Sequence, residues 1–186
     1  IREILRKNIS LNYLEVIPEK TIFVNFNYTD TNRLYRDNNK DIQEVAIHGS
    51  LSNPANIIFG YGDENANNIK DMENSKIKEF MSNIKSTKYL ISNKYKDVLN
   101  FLELDDFQII ILGHSLSLSD KTLLKTLFEH PNCISIKPLY FMDENGNDNY
   151  NDLVSNLSRV FDDKSMLRDR VVSKELSCAY KDLKFK

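Results

Sequence analysis

Tryptophan is absent from this 186-residue chain, cysteine occurs twice, proline four times and glycine five times. Two isolated thiols, Cys133 and Cys178, make neither a disulfide framework nor a zinc site. A reducing compartment, the cytoplasm, is therefore expected. Five glycines cannot conceal a Gly-rich phosphate loop, and none of them precedes Gly49. No apolar run approaches the roughly 18 residues that span a bilayer, and no signal peptide is visible. The longest run, FQIIIL from Phe107 to Leu112, is strand-sized. Charge of one sign is also lacking. With 25 basic and 27 acidic residues the net charge is −2, which excludes a bulk electrostatic grip on nucleic acid or anionic lipid.

What is present suffices for one sizeable core. The chain is 41% hydrophobic, with ten Phe and nine Tyr, and its length suits a single domain over residues 1–186. Asparagine occurs 22 times, which reads as nucleotide bias of the source genome. The chain opens on Ile1 rather than Met, as a piece of something longer would.

Apolar periodicity predicts a helix from Ile1 to Val16, ended by Pro18. TIFVNF (Thr21 to Phe26) reads as a buried strand, followed by a short helix to about Arg36. QEVAIH (Gln43 to His48) and NIIFG (Asn56 to Gly60) read as two more strands. Helical spacing recurs from about Met72 to Leu104. FQIIIL predicts a central strand, apolar on both faces. A helix carrying Leu123, Leu124, Leu127 and Phe128 follows, with Ser119 or Asp120 as its N-cap. Cys133 to Phe141 predicts a strand, with Pro138 marking an edge or an irregular end. Leu153 to Phe161 and Ser165 to Arg170 read as helices. The tail from Lys164 carries seven Lys or Arg against three acids and reads as solvated surface.

Strands alternate with helices, so the expected class is α/β, with a mostly parallel sheet and helices on both faces. In such sheets the ligand crevice lies outside the carboxyl ends of the strands. Polar and Gly residues gather at those ends. Asn25, Asn27 and Tyr28 follow the first strand, and a side-chain amide there suits ribose hydroxyls or a positioned water. The simpler alternative is an amide that ties down a turn. His48 and Gly49 end the second strand, and an imidazole facing a cleft suits general-base work. The simpler alternative is a buried, hydrogen-bonded histidine. Gly60 and Gly62 allow close backbone approach, and Asp63 or Glu64 could join His48 at a metal. No further His or Cys stands at ligand spacing, so no metal is expected. Gly113, His114, Ser115 and Asp120 form a strand–turn–helix site for an anion or a ribose.

That last segment has a rival reading. Gly113-His114-Ser115-Leu116-Ser117 approaches the G-x-S-x-G nucleophile elbow of Ser hydrolases. The final Gly is missing, however, and the only later histidine, His130, ends the very next helix.

Taken together, NFNYTDT at Asn25 to Thr31, IHG at Ile47 to Gly49, IIFGYGDE at Ile57 to Glu64, GHSLSLSD at Gly113 to Asp120 and LRDRV at Leu167 to Val171 resemble the AbiH family of bacterial phage abortive-infection proteins. More remotely, the same order is similar to sirtuin-like NAD-binding domains. This resemblance implies a three-layer Rossmann-like fold. It implies that Asn27 contacts the nicotinamide ribose region and that His48 is the catalytic base. It also implies that Gly113, Ser115 and Leu116 hold the adenosine side and that Asp120 is the acid after that turn. Thr29 stands where relatives often carry an acid. Both families open with a Gly-containing phosphate turn after a first strand, and nothing before Asn27 resembles it. The chain is therefore expected to lack its first strand and to be the C-terminal part of a longer protein. The implied function is antiviral defence through binding or hydrolysis of NAD or a related nucleotide. A non-enzymatic sensor of a nucleotide or a phage component is the alternative. A second copy of the chain could cover an open sheet edge.

Overall fold

A computed structural model describes residues 9–10, 13–14, 18–35, 42–60 and 84–180. By internal packing the chain divides into two compact units. One comprises Pro18–Glu103 and Ser119–Thr122, the other Ile1–Ile17, Leu104–Leu118 and Leu123–Lys186.

At the start of the chain, β1 (Ile9–Ser10) pairs antiparallel with β2 (Tyr13–Leu14). The helix expected over Ile1 to Val16 is thus corrected at these positions. Isoleucine and tyrosine favour extended backbone, and Asn8 and Asn12 are poor helix formers.

In the first unit, β3 (Thr21–Asn25) and β4 (Ile42–Ala46) pair in parallel, Thr21 against Ile42 through Asn25 against Ala46. The ladder continues one step, where Ile47 N–H donates to Asn25 O. A 3₁₀ turn at Thr31–Tyr35 stands where a short helix was expected. NIIFG does not form a strand. Pro54–Asn56 is a 3₁₀ turn because Pro54 presets the helical φ, and Ile58 N–H then donates to His48 O. Among the described residues, α1 (Lys85–Lys88), continued by a 3₁₀ turn at Tyr89–Ile91, and α2 (Lys94–Leu102) come next. The rest of the helical region expected from Met72 lies outside the described residues. Val45, Ile47, Ile58, Ile84, Tyr89, Val98 and Leu102 are buried and form this unit's core. Each contributes on the order of 1.5–3 kcal/mol by leaving water.

In the second unit, β5 (Phe107–Ile111) pairs in parallel with β6 (Cys133–Pro138), with a register shift between Phe107 and Gln108. The crossover between them contains α3 (Lys121–Phe128), as a parallel connection requires. Every residue of β6 is buried, so Pro138 ends a central strand rather than marking an edge. The chain after α4 (Tyr150–Val160) and α5 (Lys164–Arg170) explains this. It returns along the other side of β6, with bridges of Ile136 to Val171 and Tyr140 to Ala179. The tail expected to be solvated surface is therefore packed in part. Ile110 of β5 is 43% exposed, so this strand is not covered on both faces. Among the described residues no helix is long and apolar enough to cross a membrane. The architecture is mixed α/β with short parallel strand pairs and helices.

Cys133 opens β6 and is buried. Burial pushes its thiol up to about 12, opposed in part by the Arg170 guanidinium. A raised thiol value keeps the group protonated and unreactive in the folded state. Its contribution to stability is whole below the free value of 9.0 and is lost as pH rises from there towards about 12. At pH 8 iodoacetamide should label Cys178, which is only half-buried, well before Cys133. Mass spectrometry of the adducts checks this, and equal labelling of both thiols would contradict it.

Candidate functional site

The site is built in the first unit, around the carboxyl ends of β3 and β4. Leaving β4, the chain turns at once, and Gly49 N–H donates back to Ala46 O at 3.0 Å. Gly49 closes that turn at φ +88°, where a Cβ would stand 2.2 Å from Asn56 O. The same Ala46 carbonyl accepts from Lys94 Nζ at 2.7 Å, and burial lowers the ammonium's pKa from its usual value. This tight turn sends the His48 side chain inward, where it is 3% exposed.

Both ring nitrogens of His48 meet partners. Nδ1 lies 3.3 Å from Phe26 O. A carbonyl can only accept, so this contact places a proton on Nδ1 and leaves Nε2 as the nitrogen that can exchange one. Nε2 lies 3.2 Å from Asp120 Oδ1 and 3.4 Å from the Tyr89 hydroxyl. Phe26 presents its edge to the imidazole, with centroids 5.5 Å apart, and Tyr89 stacks parallel to it at 6.3 Å. Tyr95 extends this stack beyond Tyr89. Asp120 ends a 3₁₀ turn (Leu118–Asp120) and directly precedes α3, where a carboxylate complements the helix dipole. It is itself buried, and its Oδ1 also accepts from Lys85 Nζ at 2.8 Å. Ser119 Oγ donates to Oδ2. A carboxylate, an ammonium and an imidazole thus share a small volume shielded from water, where electrostatic interactions gain strength.

His48 and Asp120, 72 positions apart in sequence, are brought together as a strand-end site requires. The other expected residues divide. Asn25 ties down the following loop. Its Nδ2 donates to Thr29 O at 2.8 Å and to Asn32 Oδ1, and its Oδ1 accepts from Asn27 N–H. Its amide thus takes the simpler role, tying down a turn. Asn27 is exposed, and its Nδ2 donates to Thr31 Oγ1 at 3.3 Å. Tyr28 packs its ring beside His48 and Phe59 and donates to Ile58 O. At Gly49 the space that a Cβ would take is filled by the backbone of Asn56 and Ile57, so the glycine serves close packing there. Asp63 and Glu64 lie outside the described residues.

Gly113, His114, Ser115 and Leu116 belong to the second unit. Gly113 N–H donates to the Tyr180 hydroxyl at 2.9 Å, and His114 Nδ1 accepts from Leu116 N–H at 2.9 Å. Ser115 is exposed, and its carbonyl accepts from Asn156 Nδ2. Leu116 holds φ +59° with its side chain fully buried, a conformation costly for a bulky residue. The hydrolase reading fails within this unit. His130 packs on Phe107, at the start of β5, and its Nδ1 accepts from Asn132 N–H. Ser115 follows the other end of that five-residue strand, about 16 Å away along it.

Lys85 and Tyr89 are site residues that pattern reading missed. Lysine is among the residues least expected inside a protein, and nothing local distinguishes Lys85 from the other lysines around it.

Among curated proteins and among solved structures, none matches the chain. The family model described as Bacteriophage abortive infection AbiH matches residues 1–142, a span that contains β1 to β6 and the whole cluster of His48, Lys85, Tyr89 and Asp120. With three quarters of its length so matched, the chain belongs to the AbiH family of bacteriophage abortive-infection proteins.

Proposed function

We propose that this AbiH protein acts in abortive infection by hydrolysing NAD or a related nucleotide, with His48 as general base. The observation that carries the reading is the seat of His48 between Phe26 O and the Asp120 carboxylate. With Nδ1–H committed to the carbonyl, Nε2 is the nitrogen left to exchange a proton, and Asp120, 3.2 Å away, favours the imidazolium that forms when one is taken. The Tyr89 hydroxyl, which can accept and donate, supplies a relay towards that nitrogen. Breaking an N-glycosidic bond leaves an oxocarbenium-like ribose, which needs an oriented water. Asn27, exposed beyond the end of β3, would orient that water or the ribose hydroxyls. NAD is named on the similarity of the strand-end motifs to sirtuin-like domains. The parallel pairing of β3 with β4 and of β5 with β6 is what a Rossmann-like, sirtuin-like sheet would contain.

A second reading is favoured by a separate observation. His48 is 3% exposed and has partners on both ring nitrogens, as a structural histidine in a non-enzymatic sensor would. Phage challenge separates the two. His48→Ala in the protein expressed from its own gene should abolish protection and stop dinucleotide depletion, since a general base contributes about 10²–10⁴-fold. Protection and depletion that persist in this variant would rule out the enzymatic reading.

A further inference from the structure

One peptide unit lies between the side chains of Asn25 and His48. Phe26 O and Asn27 N–H belong to the same trans peptide, which is planar, so the two groups point in opposite directions. The carbonyl faces His48 Nδ1 at 3.3 Å. The N–H donates to Asn25 Oδ1 at 2.9 Å. That bond closes an Asx turn over Phe26, in which the side chain of one residue fixes the backbone two residues on. Turning the peptide away from His48 would therefore break the Asn25 bond as well. Asn25 is held against following such a movement. Its Nδ2 donates to Thr29 O at 2.8 Å and to Asn32 Oδ1 at 3.3 Å, and its main-chain carbonyl accepts from Ile47 N–H, one residue before His48.

We infer that Asn25 is a positioning residue, which aims Phe26 O at His48 and so fixes the imidazole plane and the proton on its Nδ1, an inference that rests on the general-base reading above. The neutral Nδ1–H ring and the imidazolium both carry a proton on Nδ1, so the carbonyl suits the ring in either charge state. Phe26 also presents its ring to the imidazole, with centroids 5.5 Å apart and planes at 82°, a contact that the same backbone placement sets. Only a short side chain with an acceptor closes this turn. Leucine at position 25 would fill the space at the end of β3 and leave the peptide free to rotate.

The test is NMR of the His48 ring nitrogens and their protons in the full chain, with nicotinamide release from NAD measured in parallel. In the parent, Nδ1 should carry a proton that exchanges slowly with solvent. In Asn25→Leu that proton should exchange about fivefold faster or more. There kcat should fall roughly tenfold or more, with KM little changed, because the base is misaligned while the substrate still binds. A rise in KM with kcat kept is the mark of a direct substrate contact through Asn25 and would overturn the inference. Asn25→Asp keeps an oxygen for Asn27 N–H but cannot donate to Thr29 O or Asn32 Oδ1. It should therefore retain the slow Nδ1 proton although it loses the same loop ties as Asn25→Leu. Should Asn25→Leu not fold, Asn25→Gln replaces it under the same expectation, its amide being one methylene too long to close the turn. An Nδ1 proton as slow in Asn25→Leu as in the parent, or one lost equally in Asn25→Asp, overturns the inference. Exchange that changes as stated without nicotinamide release by the parent upholds the positioning of His48 by Asn25 and refutes the hydrolase reading instead.

Discussion

Gly49→Ala should destabilise the protein by about 3 kcal/mol, with a fall in the unfolding midpoint of roughly 10 °C. Two costs combine. The backbone at Gly49 has φ +88°, a conformation that costs an L side chain about 1–2 kcal/mol. The new Cβ would also lie 2.2 Å from Asn56 O and 2.7 Å from Ile57 Cα. Both obstacles are backbone, held by the Pro54–Asn56 turn and by the bond from Ile58 N–H to His48 O, so they cannot swing away. Relief would have to come from the turn that aims His48, and activity should fall together with stability. Gly146→Ala is the control. Its φ is +85°, but nothing lies within 4 Å of its Cβ position, so only the backbone cost of about 1 kcal/mol remains. Thermal unfolding of the two variants checks the contrast, and equal losses would contradict the role given to the packing around Gly49.

Arg170→Ala should cost about 3 kcal/mol, while Arg168→Ala two residues earlier should cost less than about 0.5 kcal/mol. Both arginines lie in LRDRV and are alike in sequence. Their surroundings differ. Arg170 is buried, and its Nη1 donates to Phe128 O at 2.6 Å and to His130 O at 2.8 Å. These carbonyls lie at the end of α3, where a helix has no partners of its own for them and where a cation complements the dipole. Without the guanidinium Phe128 O loses its donor beside the Phe128 and Phe161 rings, which stack 5.8 Å apart, while His130 O keeps only the Cys133 N–H. Arg168 is exposed on the same helix. Denaturant unfolding of each variant measures the difference. A negligible loss for Arg170→Ala would show that water replaces it at the end of α3.

The elements that could be read in the chain are those whose pattern is set locally. The stripe of Leu123, Leu124, Leu127 and Phe128 buries every residue its periodicity selects, and TIFVNF and FQIIIL supply the strands β3 and β5, though most of their residues are only half-buried. The position of His48 was readable for the same reason, since a polar residue before Gly at the end of an apolar run marks a strand terminus. What pattern could not supply depends on partners distant in sequence. The tail after Lys164 is rich in charge, yet Arg170, Val172 and Ala179 are buried because β6 offers them an edge to line. The Asn25 amide also ties down the loop after it, through Asn27, Thr29 and Asn32, the simpler role that the sequence offered for it. Lys85 was invisible because a lysine is chosen for the interior only by the carboxylate it must neutralise, and Asp120 lies 35 positions away.

The most direct test of the central claim is nicotinamide release from NAD by the protein expressed from its own gene, compared with its His48→Gln variant. The imidazole placed between Phe26 O and Asp120 as a base predicts release by the parent and a loss of at least about 10²-fold in the variant, with the fold unchanged. Equal release by both, or none by the parent, would contradict it.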